Sequence, residues 1–298
     1  MSTQSTISAP SAWVMATRPK TLAAAAVPVL VGTGVALAHD QFQWLPALVA
    51  LIGAFLIQIG TNLANDYFDF KKGADNEDRL GPTRVVSSGL ISPKAVRNAM
   101  ILSFALAAAV GSYLIWLGGW PILVIGVLSI LSGIAYTGGP FPLGYNGLGD
   151  LFVFIFFGVV AVMGTYYVQA LEWSLASFVA SIPVGLLSVA ILIVNNYRDI
   201  DTDRAAGKMT LAVRLGRRWT RVQYQACLAG AYVVPVLQWL LAGQNVWVLL
   251  PLGSAPIAFW LRQRFVGTTD GAKLNSVLED TAKLLAVFGI LYAVGLAL

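Results

Sequence analysis

Nine stretches of this chain stay apolar for as long as a helix needs to cross a hydrocarbon core, roughly 20 residues, and no other feature limits the fold as tightly. They lie near residues 21–38, 46–70, 95–117, 120–137, 148–168, 174–197, 223–241, 246–262 and 280–298. In hydrocarbon every backbone N–H and C=O must find its partner inside the protein, which a helix achieves within one segment and a lone strand does not. The expected fold is an all-α membrane protein, a bundle of nine transmembrane helices forming one polytopic domain over residues 1–298. With 57% hydrophobic and 11% charged residues, the chain carries more apolar surface than a soluble fold of 298 residues hides. Gly and Pro inside the spans are ordinary in membranes, where neighbouring helices satisfy the freed backbone groups.

The net charge of +5 invites a nucleic-acid reading, and the positions of the cations remove it. With the N-terminus in the cytoplasm, all 19 Lys and Arg fall on the cytoplasmic side. Arg18 and Lys20 precede the first span, Lys71 to Arg97 follow the second, Arg198 to Arg221 follow the sixth, and Arg262 to Lys283 surround the last connection. The opposite loops carry none, as the positive-inside rule requires of an odd number of spans. The basic pair, apolar run and Ala36-Leu37-Ala38 at the N-terminus have the outline of a cleavable signal. Pro28 within the run and the depth of the basic pair argue against cleavage. The single Cys227 forms no internal disulfide, and there is no Cys and His set for a zinc site.

Two segments join an apolar helix to an acidic, Asn-bearing end. The first runs Asn65-Asp66-Tyr67-Phe68-Asp69 to Lys72, Gly73 and Asp75; the second runs Asn195-Asn196-Tyr197-Arg198-Asp199 to Asp201, Asp203 and Lys208. At a shift of about 130 residues Asn65 meets Asn195, Tyr67 meets Tyr197 and Asp69 meets Asp199. Four spans separate the motifs, so both helices point the same way and both acidic ends reach the cytoplasmic face. This is the pattern of a parallel internal repeat, around 46–137 and 174–262, whose ligand site lies between the halves. Residues four apart share a helix face; Asn65 and Asp69 form one such face, and Asn195, Asp199 and Asp203 the other. Carboxylates at a helix C-terminus oppose the macrodipole, so two clusters of them call for a cation. Mg²⁺, which takes carboxylate oxygens together with substrate phosphates, suits this set. The competing reading is a pair of solvated helix ends.

These motifs, with Ala16-Thr17-Arg18-Pro19-Lys20-Thr21, Thr83-Arg84-Val85-Val86-Ser87-Ser88-Gly89 and Ala135-Tyr136-Thr137-Gly138-Gly139-Pro140, resemble the UbiA superfamily of intramembrane aromatic prenyltransferases. The likeness covers nearly the whole chain and is nearest to the branch acting on 1,4-dihydroxy-2-naphthoate. It implies a UbiA-type helical bundle in a bacterial inner membrane, with an active site facing the cytoplasm. The substrates it implies are a polyprenyl diphosphate drawn from the membrane lipid and an aromatic acceptor, with no role for nucleic acid. The broader family pattern often has an Asp four residues after Asp69, where this chain has Gly73, with Asp75 two residues on.

The resemblance implies that Asp66, Asp69, Asp199 and Asp203, with Asp75 as a further candidate, hold Mg²⁺ against the leaving diphosphate. Asn65, Lys72, Arg84, Asn195 and Lys208 are the candidates for diphosphate contacts. The lysines and arginine also serve membrane retention, because their loops are basic in any case. Tyr136 offers a π face to an allylic cation, or is an ordinary interfacial aromatic. The glycine- and proline-rich segment 138–149, free of Lys and Arg, reads as a shaped turn region. Hydroxybenzoate or homogentisate are alternative acceptors. A transporter is the competing class, although no Asp, Glu, Lys or Arg stands in the middle of any span.

Overall fold

The computed structural model of the chain describes residues 8–73, 80–81 and 83–298. Every regular element among them is helical. In chain order these are α1 (Ala9–Thr17), α2 (Leu22–Ala38), α3 (Trp44–Lys71), α4 (Pro93–Gly118), α5 (Trp120–Ala135), α6 (Gly149–Ala170), α7 (Leu175–Arg198), α8 (Ile200–Ala205), α9 (Leu211–Leu241), α10 (Ala255–Val266) and α11 (Gly271–Ala297). Side-chain oxygens start several of them: Ser92 accepts from Ala95 N–H, Thr210 from Val213 N–H and Asp270 from Lys273 N–H. Gly73, at φ 67°, terminates α3 in the left-handed region where a side chain is strained. The position that the broader family pattern gives to Asp is therefore a helix stop here.

The protein is a multi-pass membrane protein. Six helices, α3, α4, α6, α7, α9 and α11, are long and apolar enough to cross a bilayer, and α1 with α2 makes a seventh if that pair, bent by 51°, is one span. Two expected spans are shorter than expected among the described residues. α5 ends after 16 residues at Ala135, where the Tyr136 to Pro140 turn takes over. Residues Val246–Ser254 form a 3-10 helix containing Pro251, which has no N–H to donate, before α10 begins. α9 starts twelve residues before the apolar run at 223, because its first turns carry Arg214, Arg217, Arg218 and Arg221. Gly216, at φ 72° and ψ 170°, kinks it there.

Two large apolar clusters organise the bundle, with a small third one at Leu114, Ile122 and Val168. The larger joins α2, α6, α7, α9, α10 and α11 and includes Leu187, Ile193, Leu284 and Phe288. One end of it is an aromatic stack, Tyr197 and Tyr224 against Phe265 with ring centroids 4.7 and 4.3 Å apart. The smaller joins α1, α3 and α4 to the segment carrying Val85, Val86 and Ile91. Close helix crossings depend on missing side chains. A Cβ on Gly34 of α2 would lie 2.5 Å from the Ala293 carbonyl of α11, and one on Gly158 of α6 would lie 2.7 Å from the Gly185 Cα of α7. Near that second crossing, Phe154–Val160 widens into π-helix. The exposed Leu102, Leu106, Leu131 and Phe259 face outward, and Trp116 and Trp120 stand at the α4 to α5 turn, as interfacial tryptophans do.

Candidate active site

Two cavities open between the clusters. The polar one, about 220 Å³, is lined by Arg18, Asn65, Asp69, Arg84, Tyr136, Asn195, Asp199, Asp203 and Lys208, among others. The C-terminal end of α3 delivers Asn65 and Asp69, and the junction of α7 with α8 delivers Asn195, Asp199 and Asp203. The junction is a break in name more than in hydrogen bonding. Asp199 N–H donates to the Asn195 carbonyl at 3.3 Å and Asp203 N–H to the Asp199 carbonyl at 2.7 Å. The four-residue spacing thus keeps its helical meaning across the break.

Each carboxylate has a cationic neighbour. Arg84 Nη2 donates to Asp69 Oδ2 at 2.9 Å, and the Tyr145 hydroxyl donates to Asp69 Oδ1 at 2.9 Å. Arg198 grips Asp199 with Nε at 2.8 Å and Nη2 at 2.6 Å; Nη2 also donates to Asn195 Oδ1 at 3.0 Å, and Nη1 donates to Asn275 Oδ1 at 2.7 Å. Lys208 Nζ stands 3.5 Å from Asp203 Oδ1. Asp203 Oδ2 is buried and has no hydrogen-bond partner among the described residues. Burial pushes the Asp203 carboxyl up to about 6, with Lys208 opposing the shift and Asp199 and Asp69 adding to it.

Two expected site residues stand elsewhere. Asp66 points away from the cavity and accepts hydrogen bonds from Val85 N–H at 3.2 Å and Val86 N–H at 3.3 Å. This carboxylate pins the segment that carries Arg84 to α3. Lys72 donates to the Thr137 carbonyl at 2.7 Å and lies 4.9 Å from the centre of the Tyr145 ring, outside the cavity lining. Asp75 lies outside the described residues. Among the described residues no group of three or more His, Cys, Asp or Glu stands ready-made around a metal ion.

Sequence reasoning missed Tyr145, whose hydroxyl holds Asp69 and whose ring lies under both Lys72 and Lys208. It comes from the segment read only as a turn region. Arg18 was also missed as a site residue. It sits in the left-handed region, at φ 50°, where α1 turns into α2. A non-glycine residue there carries a backbone cost that the surrounding structure must offset.

The second cavity is larger, about 310 Å³, and almost wholly apolar, walled by α2 to α6. Gly53, Gly111 and Gly126 of α3, α4 and α5 line it, and a Cβ on any of them would meet nothing within 4 Å. Glycine costs a helix about 1 kcal/mol relative to alanine, so three of them without close neighbours leave room for something other than protein.

The chain matches the description "UbiA prenyltransferase family" over residues 25–292. It is 41% identical to the 1,4-dihydroxy-2-naphthoate octaprenyltransferase of Mycobacterium tuberculosis, covering 96% of each chain. With the protein of the same name from Escherichia coli it shares 39% identity over 99% of this chain and 98% of that one. In fold it is similar to a UbiA homolog from Archaeoglobus fulgidus solved bound to DMAPP and Mg²⁺. The TM-score is 0.66 at 15% identity, covering 95% of this chain and 99% of that one.

Proposed function

The chain belongs to the UbiA prenyltransferase family, and from that membership we infer that it transfers a polyprenyl group from polyprenyl diphosphate to 1,4-dihydroxy-2-naphthoate. Diphosphate and CO₂ leave, and the reaction is a step of menaquinone biosynthesis. The observation that carries this reading is the identity of 41% over 96% of both chains with a relative named for that activity. The two cavities suit the donor, whose charged head matches the polar cavity and whose tail matches the apolar one.

Asp69, Asp199 and Asp203 offer hard oxygen atoms to one space, and the Asp203 oxygen that has no partner among the described residues fits a divalent cation. These three would hold Mg²⁺ together with substrate phosphate oxygens, and the ion supplies neutralisation of the charge that builds on the departing diphosphate. Arg18, Arg84 and Lys208 line the same cavity and donate to phosphate oxygens. Asn65 and Asn195 add amide groups beside them. Asp66 positions Arg84 through the Val85 and Val86 amides. The C1–O bond of the donor breaks with its electron pair leaving on diphosphate. Tyr136, which lines both cavities, then presents a ring to the allylic cation. The hydroquinone ring carbon bonds to C1, and loss of CO₂ returns electrons to the ring, so no base removes a proton from that carbon.

With purified protein, a polyprenyl diphosphate and Mg²⁺, 1,4-dihydroxy-2-naphthoate labelled in its carboxyl carbon should give prenylated product and labelled CO₂. 4-Hydroxybenzoate should react far more slowly. Preferential prenylation of hydroxybenzoate with its carboxylate retained would assign the chain to another acceptor. No product from any aromatic acceptor would favour a transport role.

We further propose nine crossings with a cytoplasmic N-terminus and a cytoplasm-facing active site, α5 and the Val246–Val266 segment being the short ones. The halves 46–137 and 174–262 then form a parallel repeat. Support comes from the charge asymmetry of the loops and from the acidic ends of α3 and of α7 with α8 lining one cavity. In a Cys227→Ser background, a cysteine replacing Asn76 should be shielded in intact cells from an impermeant thiol reagent, while one replacing Gln244 should react. The reverse pattern would invert the orientation.

A further inference from the structure

The two cavities share five lining residues, Ala24, Gln58, Tyr136, Val153 and Phe157. Only Gln58 and Tyr136 among these bring polar side-chain atoms to the junction. Gln58 belongs to the membrane-crossing helix α3 and is 8% exposed. An amide in that setting is costly unless both its ends are used.

The hydrogen bonds around Gln58 can be followed from a fixed end. The Thr17 carbonyl can only accept, so the Asn62 atom 3.0 Å from it is the amide nitrogen. The same nitrogen donates to Thr21 Oγ1 at 3.0 Å. Asn62 Oδ1 is then an acceptor, and Gln58 Nε2 donates to it at 3.4 Å and to Thr21 Oγ1 at 3.3 Å. The nitrogen of Gln58 is thereby committed to the α1 to α2 turn, and its carbonyl oxygen Oε1 accepts no hydrogen bond from the described residues.

An open carbonyl oxygen at the junction needs a donor. The prenyl chain has no polar hydrogen, and an ionised diphosphate offers only acceptor oxygens. Of the groups that must meet beside C1, the ring hydroxyls of the hydroquinone are the ones that can donate. We propose that Gln58 Oε1 accepts a hydrogen bond from a ring hydroxyl of the aromatic acceptor and so fixes the ring where the two cavities meet. This rests on the prenyl-transfer reading above and deepens it, by making Gln58 a selector of hydroxylated rings. The network through Asn62, Thr21 and Thr17 presents the oxygen, so its orientation is set before the acceptor arrives.

The test is steady-state kinetics of the full-length protein with Gln58→Leu, and with Gln58→Met to retain the side-chain length should the leucine variant not fold. KM for 1,4-dihydroxy-2-naphthoate is expected to rise about tenfold, the scale of one buried neutral hydrogen bond. KM for the prenyl diphosphate should stay within about twofold. Inhibition by the two monohydroxy analogues, 1-hydroxy-2-naphthoate and 4-hydroxy-2-naphthoate, identifies the contact. One of them should lose potency in the variant as the substrate does, whereas the one lacking the held hydroxyl should inhibit wild type and variant equally. Equal loss for both analogues, no loss for either, or a parallel rise in KM for the donor would each overturn the assignment. A wild-type protein that does not prenylate the naphthoate at all would instead overturn the activity itself.

Discussion

Asp69→Asn, Asp199→Asn and Asp203→Asn should each lower prenyl transfer by about 10²–10³-fold or more, the scale seen when one group stabilising transition-state charge is removed. The three variants should differ in their side effects. Asp69→Asn takes the carboxylate from Arg84, which is 7% exposed, and breaking a buried pair costs about 3–5 kcal/mol of stability. Asp199→Asn has a similar consequence for Arg198, which is 2% exposed. Asp203→Asn removes only a 3.5 Å contact with Lys208, so it should lose activity while melting close to wild type. Asp66→Asn should behave in the opposite way. It weakens the grip on the Val85 and Val86 amides, lowering stability and leaving the Mg²⁺ requirement unchanged. Turnover is to be measured against Mg²⁺ concentration beside a thermal melt in detergent. Near-wild-type turnover of Asp203→Asn at limiting Mg²⁺ would sink the assignment of a shared cation site.

Gly34→Leu is expected to be the most damaging single change outside the active site. Its Cβ would lie 2.5 Å from the Ala293 carbonyl oxygen and 2.9 Å from the Ala293 Cα, both backbone atoms that cannot swing away. Gly289, which meets Val27 across the same pair of helices, keeps α2 and α11 close at a second point. Forcing a side chain into such a contact costs about 1–3 kcal/mol, and more where the backbone must move. The melting midpoint in detergent should fall by roughly 5 °C or more. Gly53→Ala makes the control. It adds a methyl group into open space on α3 and should leave the midpoint unchanged or raise it, because alanine is the better helix former by about 1 kcal/mol. If both variants melt like wild type, the tight α2 to α11 crossing does not describe the folded protein.

What could be read from residue order was whatever depends on composition over a window or on spacing within one helix. Apolar runs announced the membrane, and the four-residue interval announced that Asn195, Asp199 and Asp203 would line the same space, which they do despite the end of α7 at Arg198. Nothing local revealed that Asp66 would turn to backbone amides some twenty residues further on. Three residues along the helix, Asp69 faces the cavity instead, and the difference lies in where the 83–91 segment packs. Tyr145 was hidden for the same reason, since its partner Asp69 is 76 positions away. The early end of α5 and the 3-10 start before α10 were masked by apolarity. A hydropathy run reports that a segment avoids water and says nothing about where its hydrogen-bond ladder stops.

The π-helical stretch Phe154–Val160 carries a consequence for the lineage of this chain. A widened turn takes up roughly one more residue than an α-helical turn, so the segment behaves as an insertion swallowed by the helix. Residues before it, such as Val153, and after it, such as Thr165 and Val168, line the same apolar cavity. A homologous chain one codon shorter here could close the bulge into plain α-helix and keep those walls in phase. Anywhere else along α6, the loss of one residue would turn the following wall by about 100°. Length variation in this helix is therefore tolerable at this one place, which makes the bulge a hereditary buffer as much as a bend.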